Sequence, residues 1–200
     1  MQQRPLLMIF VKNPEPGKVK TRLARTTGRE KALAIYMKLL AYTRKITEAL
    51  DIDKQVWYSR HIDDSDGWNP ELYTKKVQQG NNLGVRMKYA FKEAFRNGYT
   101  RVAIIGSDCA ELSSVIIQQA FDLLTEQDVV VGPSADGGYY LLGMNAFHPI
   151  LFDDIKWSTP AVLPKTLEII RQKELGLHLL PELNDVDNEA DWKEVKDRFK

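Results

Sequence analysis

Residues 6–22, LLMIFVKNPEPGKVKTR, constrain this chain more than any other stretch. An unbroken apolar run, Leu6 to Val11, stops abruptly at Pro14, Pro16 and Gly17. A short apolar run that ends in turn residues reads as a buried strand. The two prolines and the glycine cannot extend it as a central ladder. Lys12, Lys18, Lys20 and Arg22 then crowd one loop. A buried strand that empties into a basic loop and then a helix is how many α/β proteins hold a phosphate. The sheet's carboxyl edge forms the crevice and the helix N-terminus offers N–H donors. The same residues also fit a solvated basic loop on an ordinary domain.

Two familiar phosphate grips are excluded. Gly17-Lys18 is followed by Val19 where a P-loop needs Ser or Thr, and Lys12 stands where its first glycine belongs. No G-x-G-x-x-G follows a predicted strand. Bulk charge narrows the field further. Lys plus Arg is 28 and Asp plus Glu is 27, so the basic loop is a local feature and a general nucleic-acid binder is not expected. A single cysteine, Cys109, excludes an intramolecular disulfide and suits a reducing compartment. The N-terminus lacks a leader-like apolar core, and no apolar run is long enough to span a bilayer. These features predict a cytoplasmic protein without membrane spans, organised as one domain over 1–200.

The chain alternates between two periods. Helical spacing covers Gly28 to Leu50, with Ala32, Ile35, Leu39, Ile46 and Leu50 on one face. Strands are predicted at 55–59, 75–78, 101–105, 128–131, 139–143 and 177–180. Helices are predicted from Leu83 to Arg96, from a Ser113 or Ser114 cap to Glu126, and from the Ser158-Thr159-Pro160 start to Gly176. Asp187 or Asn188 caps a terminal helix. Residues 60–73, with Asp63, Asp64 and Asp66, read as a solvated surface loop without EF-hand spacing. The alternation implies an α/β protein with an open, mainly parallel sheet and helices on both faces. Ligands of such sheets sit outside the carboxyl ends of the strands.

Polar residues collect at those ends: the 12–22 loop, Ser107-Asp108, Asp136-Gly137-Gly138 and Asp185-Val186-Asp187. Carboxylates from several strand ends can converge on one Mg²⁺ or Mn²⁺, which favours hard oxygen donors and bridges to phosphate. Asp108 is the foremost candidate, because it ends the clearest buried strand. Asp136 equally fits an Asp-Gly turn, and Asp187 equally fits a helix cap. Asp185 is a weaker candidate. Cys109, with no histidine near it in sequence, reads as a small buried residue. Lys20 reads as an exposed loop lysine that binds phosphate.

The motifs FVKNPEPGKVKTRLA, QQGNNLGVRM, IGSDCAEL, GPSADGGYYLLG, IKWST and NDVDNEADW occur in that order. The series resembles the DUF2064 family of glycosyltransferase-like proteins, within the nucleotide-diphospho-sugar transferase (GT-A) superfamily. It is also similar to the phospholactate and molybdenum-cofactor guanylyltransferase groups. The resemblance spans Phe10 to Trp192 and implies a single Rossmann-like GT-A domain with a nucleotide at the first strand's edge. It implies that Asp108 fills the role of the superfamily's D-x-D metal-binding carboxylate. Gly106 and Ala110 flank Asp108 at two residues on either side, so the paired carboxylate must come from elsewhere, and Asp136 or Asp187 is expected to supply it. It further implies that Lys18, Lys20 and Arg22 contact phosphates, with Lys12 beside them. Gln79, Asn82 and Arg86 are implied to line the base or ribose pocket.

The expectation is therefore a metal-dependent transferase using a nucleotide-sugar and an unknown small-molecule acceptor, with Mg²⁺ or Mn²⁺, Asp108 and Lys20 at the centre of the chemistry. The alternatives are nucleotidyl transfer from a nucleoside triphosphate with release of pyrophosphate, and a non-catalytic nucleotide-binding protein.

Overall fold

A computed structural model describes residues 4–199. The Leu6–Val11 run lies in strand β1 (Pro5–Val11), and Leu6, Leu7, Met8 and Ile9 are fully buried. Its neighbours explain why it has no polar alternation. β2 (Asp53–Tyr58) and β4 (Arg101–Ile105) flank it, both parallel, so both of its faces are covered. With β3 (Thr74–Val77), β5 (Val129–Pro133), β6 (Tyr139–Met144) and β7 (Leu177–Leu179), they form a seven-stranded sheet in the order β3-β2-β1-β4-β6-β5-β7. Only β6 runs against the rest. The start of β6 therefore stands at the same edge as the carboxyl ends of its neighbours, and the 134–138 turn joins that edge.

Side chains of β1 alternate between two cores. Leu7, Ile9 and Val11 pack with Tyr36 and Leu40 of α2 (Arg29–Glu48) and Ile117 and Phe121 of α4 (Ser114–Leu123). Leu6 and Met8 pack with Met87 and Phe91 of α3 (Leu83–Arg96) and Ile169 and Ile170 of α5 (Val162–Gln172). A third cluster joins Leu23 of α1 (Thr21–Thr27) to Ile35, Ala110, Val186 and Val195 of α6 (Glu189–Val195). That small core ties the carboxyl-edge loops to the terminal helix.

The sheet and its helix layers are those expected from the sequence, and two boundaries differ for local reasons. The basic loop closes into α1, and Gly28, at φ +86°, both ends α1 and starts α2. That backbone is open to glycine at no steric cost. Ser158 does not cap α5. It has φ +63°, and the helix begins only at Val162 after a turn in which the Thr159 hydroxyl accepts from Ala161 N–H. Asn188 caps α6 in a capping box with Asp191, which leaves the carboxylate of Asp187 free for other partners. The 60–73 segment is not simply solvated. Trp68 and Tyr73 are buried in edge-to-face contact, and Asp66 pairs with Lys75 at 2.7 Å. Among the described residues no helix is long and apolar enough to cross a membrane.

Candidate active site

The carboxyl edge of the sheet opens into a cleft of about 670 Å³. Three segments build its floor. The first is the basic loop, whose path is fixed by Tyr36: its hydroxyl accepts from Lys12 N–H at 2.9 Å and lies 3.3 Å from the Ser107 hydroxyl. The second is the turn after β4, carrying Asp108. The third is the 183–187 segment, which is laced to both neighbours. Cys109 and Asp185 form an antiparallel bridge, Val186 N–H donates to Asp108 C=O at 3.0 Å, and Leu183 N–H donates to Pro133 C=O at 3.1 Å. Extended backbone puts alternate side chains on opposite sides. Val186 accordingly enters the small core, while Asp185 and Asp187 both line the cleft.

Lys20 stands at the centre. Its backbone is left-handed, at φ 45° and ψ 47°, where the loop turns into α1. Its side chain is only 3% exposed, and Nζ lies 3.0 Å from Asp108 Oδ2 and 3.8 Å from Asp187 Oδ1. The expectation of an exposed loop lysine is thus overturned: the αL turn and the acidic floor draw the side chain inward. Arg22, largely exposed, reaches the other oxygen of Asp187 at 3.0 Å.

Asp185 has its carboxyl pushed up to about 7, first by burial and then by the negative charge of Asp108, against a lowering pull from Lys20. Asp136 lines the same cleft, and its Oδ1 accepts from the Ser134 hydroxyl and from Gly138 N–H within its own turn. That turn supports the opposite wall. Leu163 N–H donates to Gly137 C=O at 2.9 Å, which seats Ser158, Thr159 and Pro160 against the cleft beside Trp157 and Leu83.

The sequence candidates thus divide. Lys12, Lys20, Arg22, Asp108, Asp136 and Asp187 line one cleft. Lys18 is exposed and outside that lining. Gln79, Asn82 and Arg86 also stand outside it, and two of them have structural tasks. Asn82 Oδ1 caps α3 by accepting from Val85 N–H at 2.9 Å, and Arg86 donates to Gly80 C=O and Gln78. Cys109 is buried with its thiol pushed up to about 12, mainly by burial, which suits a packing residue and not a nucleophile. Asp185 and the Trp157 wall were underrated by sequence. The Asp-Val-Asp alternation was the available signal for Asp185. Trp157 lines the cleft together with Tyr36 and Tyr139, whereas Trp68 and Tyr73 are in the core.

A slightly larger hollow, about 780 Å³, lies at the amino ends of β1 and β2. Its lysine, Lys54, is committed to the carbonyls of Leu50 and Ile52. The carboxyl-edge cleft is the better candidate, because parallel sheets present ligands there and because its charged groups converge.

The family described as an uncharacterized protein conserved in bacteria (DUF2064) matches residues 42–159. The chain belongs to the DUF2064 family. No curated protein matches it in sequence. A Desulfovibrio desulfuricans G20 protein, provisionally named a nucleotide-diphospho-sugar transferase, is 36% identical, with 94% of this chain and 84% of that one covered at a TM-score of 0.86. Two more distant structures share the fold. Rv0371c of Mycobacterium tuberculosis, in complex with manganese, is 12% identical over 98% of both chains at a TM-score of 0.55. The inositol-1-phosphate CTP transferase of T. maritima is 11% identical over 100% of this chain and 97% of its own at 0.57.

The DUF2064 cleft offers oxygen donors to a divalent cation. Every candidate donor is a carboxylate oxygen, the chemistry Mg²⁺ and Mn²⁺ select. Among the described residues, however, no three His, Cys, Asp or Glu side chains stand close enough together to hold an ion. The Lys20 ammonium lies between Asp108 and Asp187 instead. The residues fit a cation in kind and face one space.

Proposed function

We propose that this protein is a metal-dependent transferase acting on a nucleotide-sugar, with the cleft around Lys20 as its active site. The carrying observation is the juxtaposition of Lys20 and Arg22 with Asp108 and Asp187 at the carboxyl edge. Three cations, Lys12, Lys20 and Arg22, face four carboxylates, Asp108, Asp136, Asp185 and Asp187. Such a cleft has no surplus positive charge with which to hold a diphosphate. A divalent cation on the carboxylates reverses that balance and frees the lysine and arginine for phosphate oxygens.

Asp108 and Asp187 would hold the metal, with Asp185 beside them. Bound there, it would supply charge neutralisation for a departing nucleoside diphosphate. Lys20 and Arg22, released from those carboxylates, would stabilise the same developing charge. Leu83, Trp157 and Pro160 line the cleft and give an acceptor a partly apolar surface. The Desulfovibrio protein's name is consistent with this reading.

Nucleotidyl transfer is the second reading. The density of cations in the 12–22 loop favours it, because a triphosphate carries more charge. With Lys18 outside the lining and two of the remaining cations paired with Asp187, that argument is weaker in the folded protein.

A thermal-shift panel of nucleotides and nucleotide-sugars with Mn²⁺ tests the proposal. At least one is expected to raise Tm in wild type and not in Asp108→Ala. Slow metal-dependent hydrolysis of that ligand, absent from Asp108→Ala, separates an enzyme from a binding protein. If no nucleotide moves Tm in any combination, the proposal is wrong.

A further inference from the structure

Lys20 differs from Lys54, the other buried lysine among the described residues. Lys54 Nζ donates to two backbone carbonyls, as a structural lysine does. Lys20 Nζ is equally shielded, yet no backbone carbonyl among the described residues accepts from it. Among the described residues its ionic partners are the carboxylates of Asp108 and Asp187, and its charge also bears on Asp185. A buried ammonium held between two carboxylates, and by no backbone carbonyl, occupies the electrostatic seat that a bound cation would take. Its left-handed backbone is one that residues other than glycine rarely adopt. Such a conformation persists where surrounding contacts over-determine it.

From this we infer that Lys20 is a resident counter-ion: in the free protein its ammonium holds the divalent cation's place between Asp108 and Asp187, and metal binds tightly only when an anionic ligand draws the lysine away. The inference rests on the cleft being the metal and nucleotide site proposed above. Two cations cannot share one pair of carboxylates without mutual repulsion. Metal and lysine therefore exclude each other. Metal and phosphate become coupled, because the phosphate gives the displaced ammonium a new partner. By linkage each ligand then strengthens the other to the same degree. The device guards against metal occupying the cleft without substrate.

The test is a titration with MnCl₂ alone, following free Mn²⁺ by electron paramagnetic resonance. Wild type is expected to bind Mn²⁺ weakly. Lys20→Met is expected to bind it about tenfold or more tightly, because the competitor is gone. Lys12→Met removes an equal charge from the same cleft without emptying the seat, and should change affinity by less than about threefold. A Lys20→Met affinity no tighter than wild type, or a Lys12→Met gain as large, overturns the inference. If Lys20→Met does not fold, wild type alone decides. Acylation of Lys20, read by mass spectrometry, should be slow without metal and rise at saturating Mg²⁺. Labelling that stays slow at saturation refutes displacement. These readouts use no nucleotide, so they can fail while the thermal-shift panel succeeds, and the reverse.

Discussion

Gly84 lies against the indole of Trp157, so close that a Cβ at Gly84 would stand 2.0 Å from Trp157 Nε1. Gly84 sits in the first turn of α3 in a conformation alanine adopts readily, and alanine favours helix by up to about 1 kcal/mol. Any cost of Gly84→Ala therefore comes from the indole being pushed away. The variant is expected to lose about 1–3 kcal/mol, to shift tryptophan emission and to weaken acceptor or donor binding. Unfolding in urea and the emission spectrum check this. A stabilised variant with unchanged emission would show that Trp157 has no fixed seat at the cleft.

Asp185 makes stability depend on pH in a direction opposite to most carboxylates. Its ordinary value is 3.8 and its folded value about 7. Between the two, the folded state keeps a proton that the unfolded chain has released. Stability therefore falls as pH rises through that window and levels off above it. Asp185→Asn removes this contribution. In metal-free protein the variant should match wild type near the lower end and exceed it by about 1–2 kcal/mol above the upper end, allowing for partial solvent screening. Urea unfolding at both ends measures it, and parallel pH profiles for the two proteins would count against a raised Asp185.

Asn82→Ala separates two roles for a residue that family motifs tie to the nucleotide. As the cap of α3 it should cost about 1 kcal/mol. Because Asn82 does not line the cleft, nucleotide affinity should stay within about twofold. Paired denaturation and binding measurements decide. Unchanged stability with lost affinity would return Asn82 to the ligand.

Arg22→Ala addresses an exposed cation whose pair with Asp187 contributes little to folding. Stability should change by less than about 0.5 kcal/mol. Affinity for a nucleotide should drop by about three- to tenfold, and by less at high salt. A drop insensitive to salt would point to a contact other than an exposed charge.

Much of this could be read in order along the chain. The unbroken apolar runs at 6–11 and 102–105 announced central parallel strands, because a strand covered on both faces cannot carry alternating polar residues. The Ser113 cap lies where a short polar side chain precedes apolar periodicity. Asp108 was visible because a carboxylate directly after such a strand must emerge at the sheet's ligand-binding edge. Lys20 was misread because burial of a lysine depends on what lies opposite it, and its partners stand 88 and 167 positions further on.

The amino-acid sequence by itself determined the sheet, its helix layers and the edge at which charged residues gather, since these follow from local periodicity and turn chemistry. Only the tertiary structure decided that Lys20 turns inward between Asp108 and Asp187, that Asp185 joins them, and that Trp157 walls the cleft. The physical reason is that electrostatic pairing and burial depend on distance in space, and no local pattern encodes which distant segments a β-bridge such as Cys109 to Asp185 will bring together.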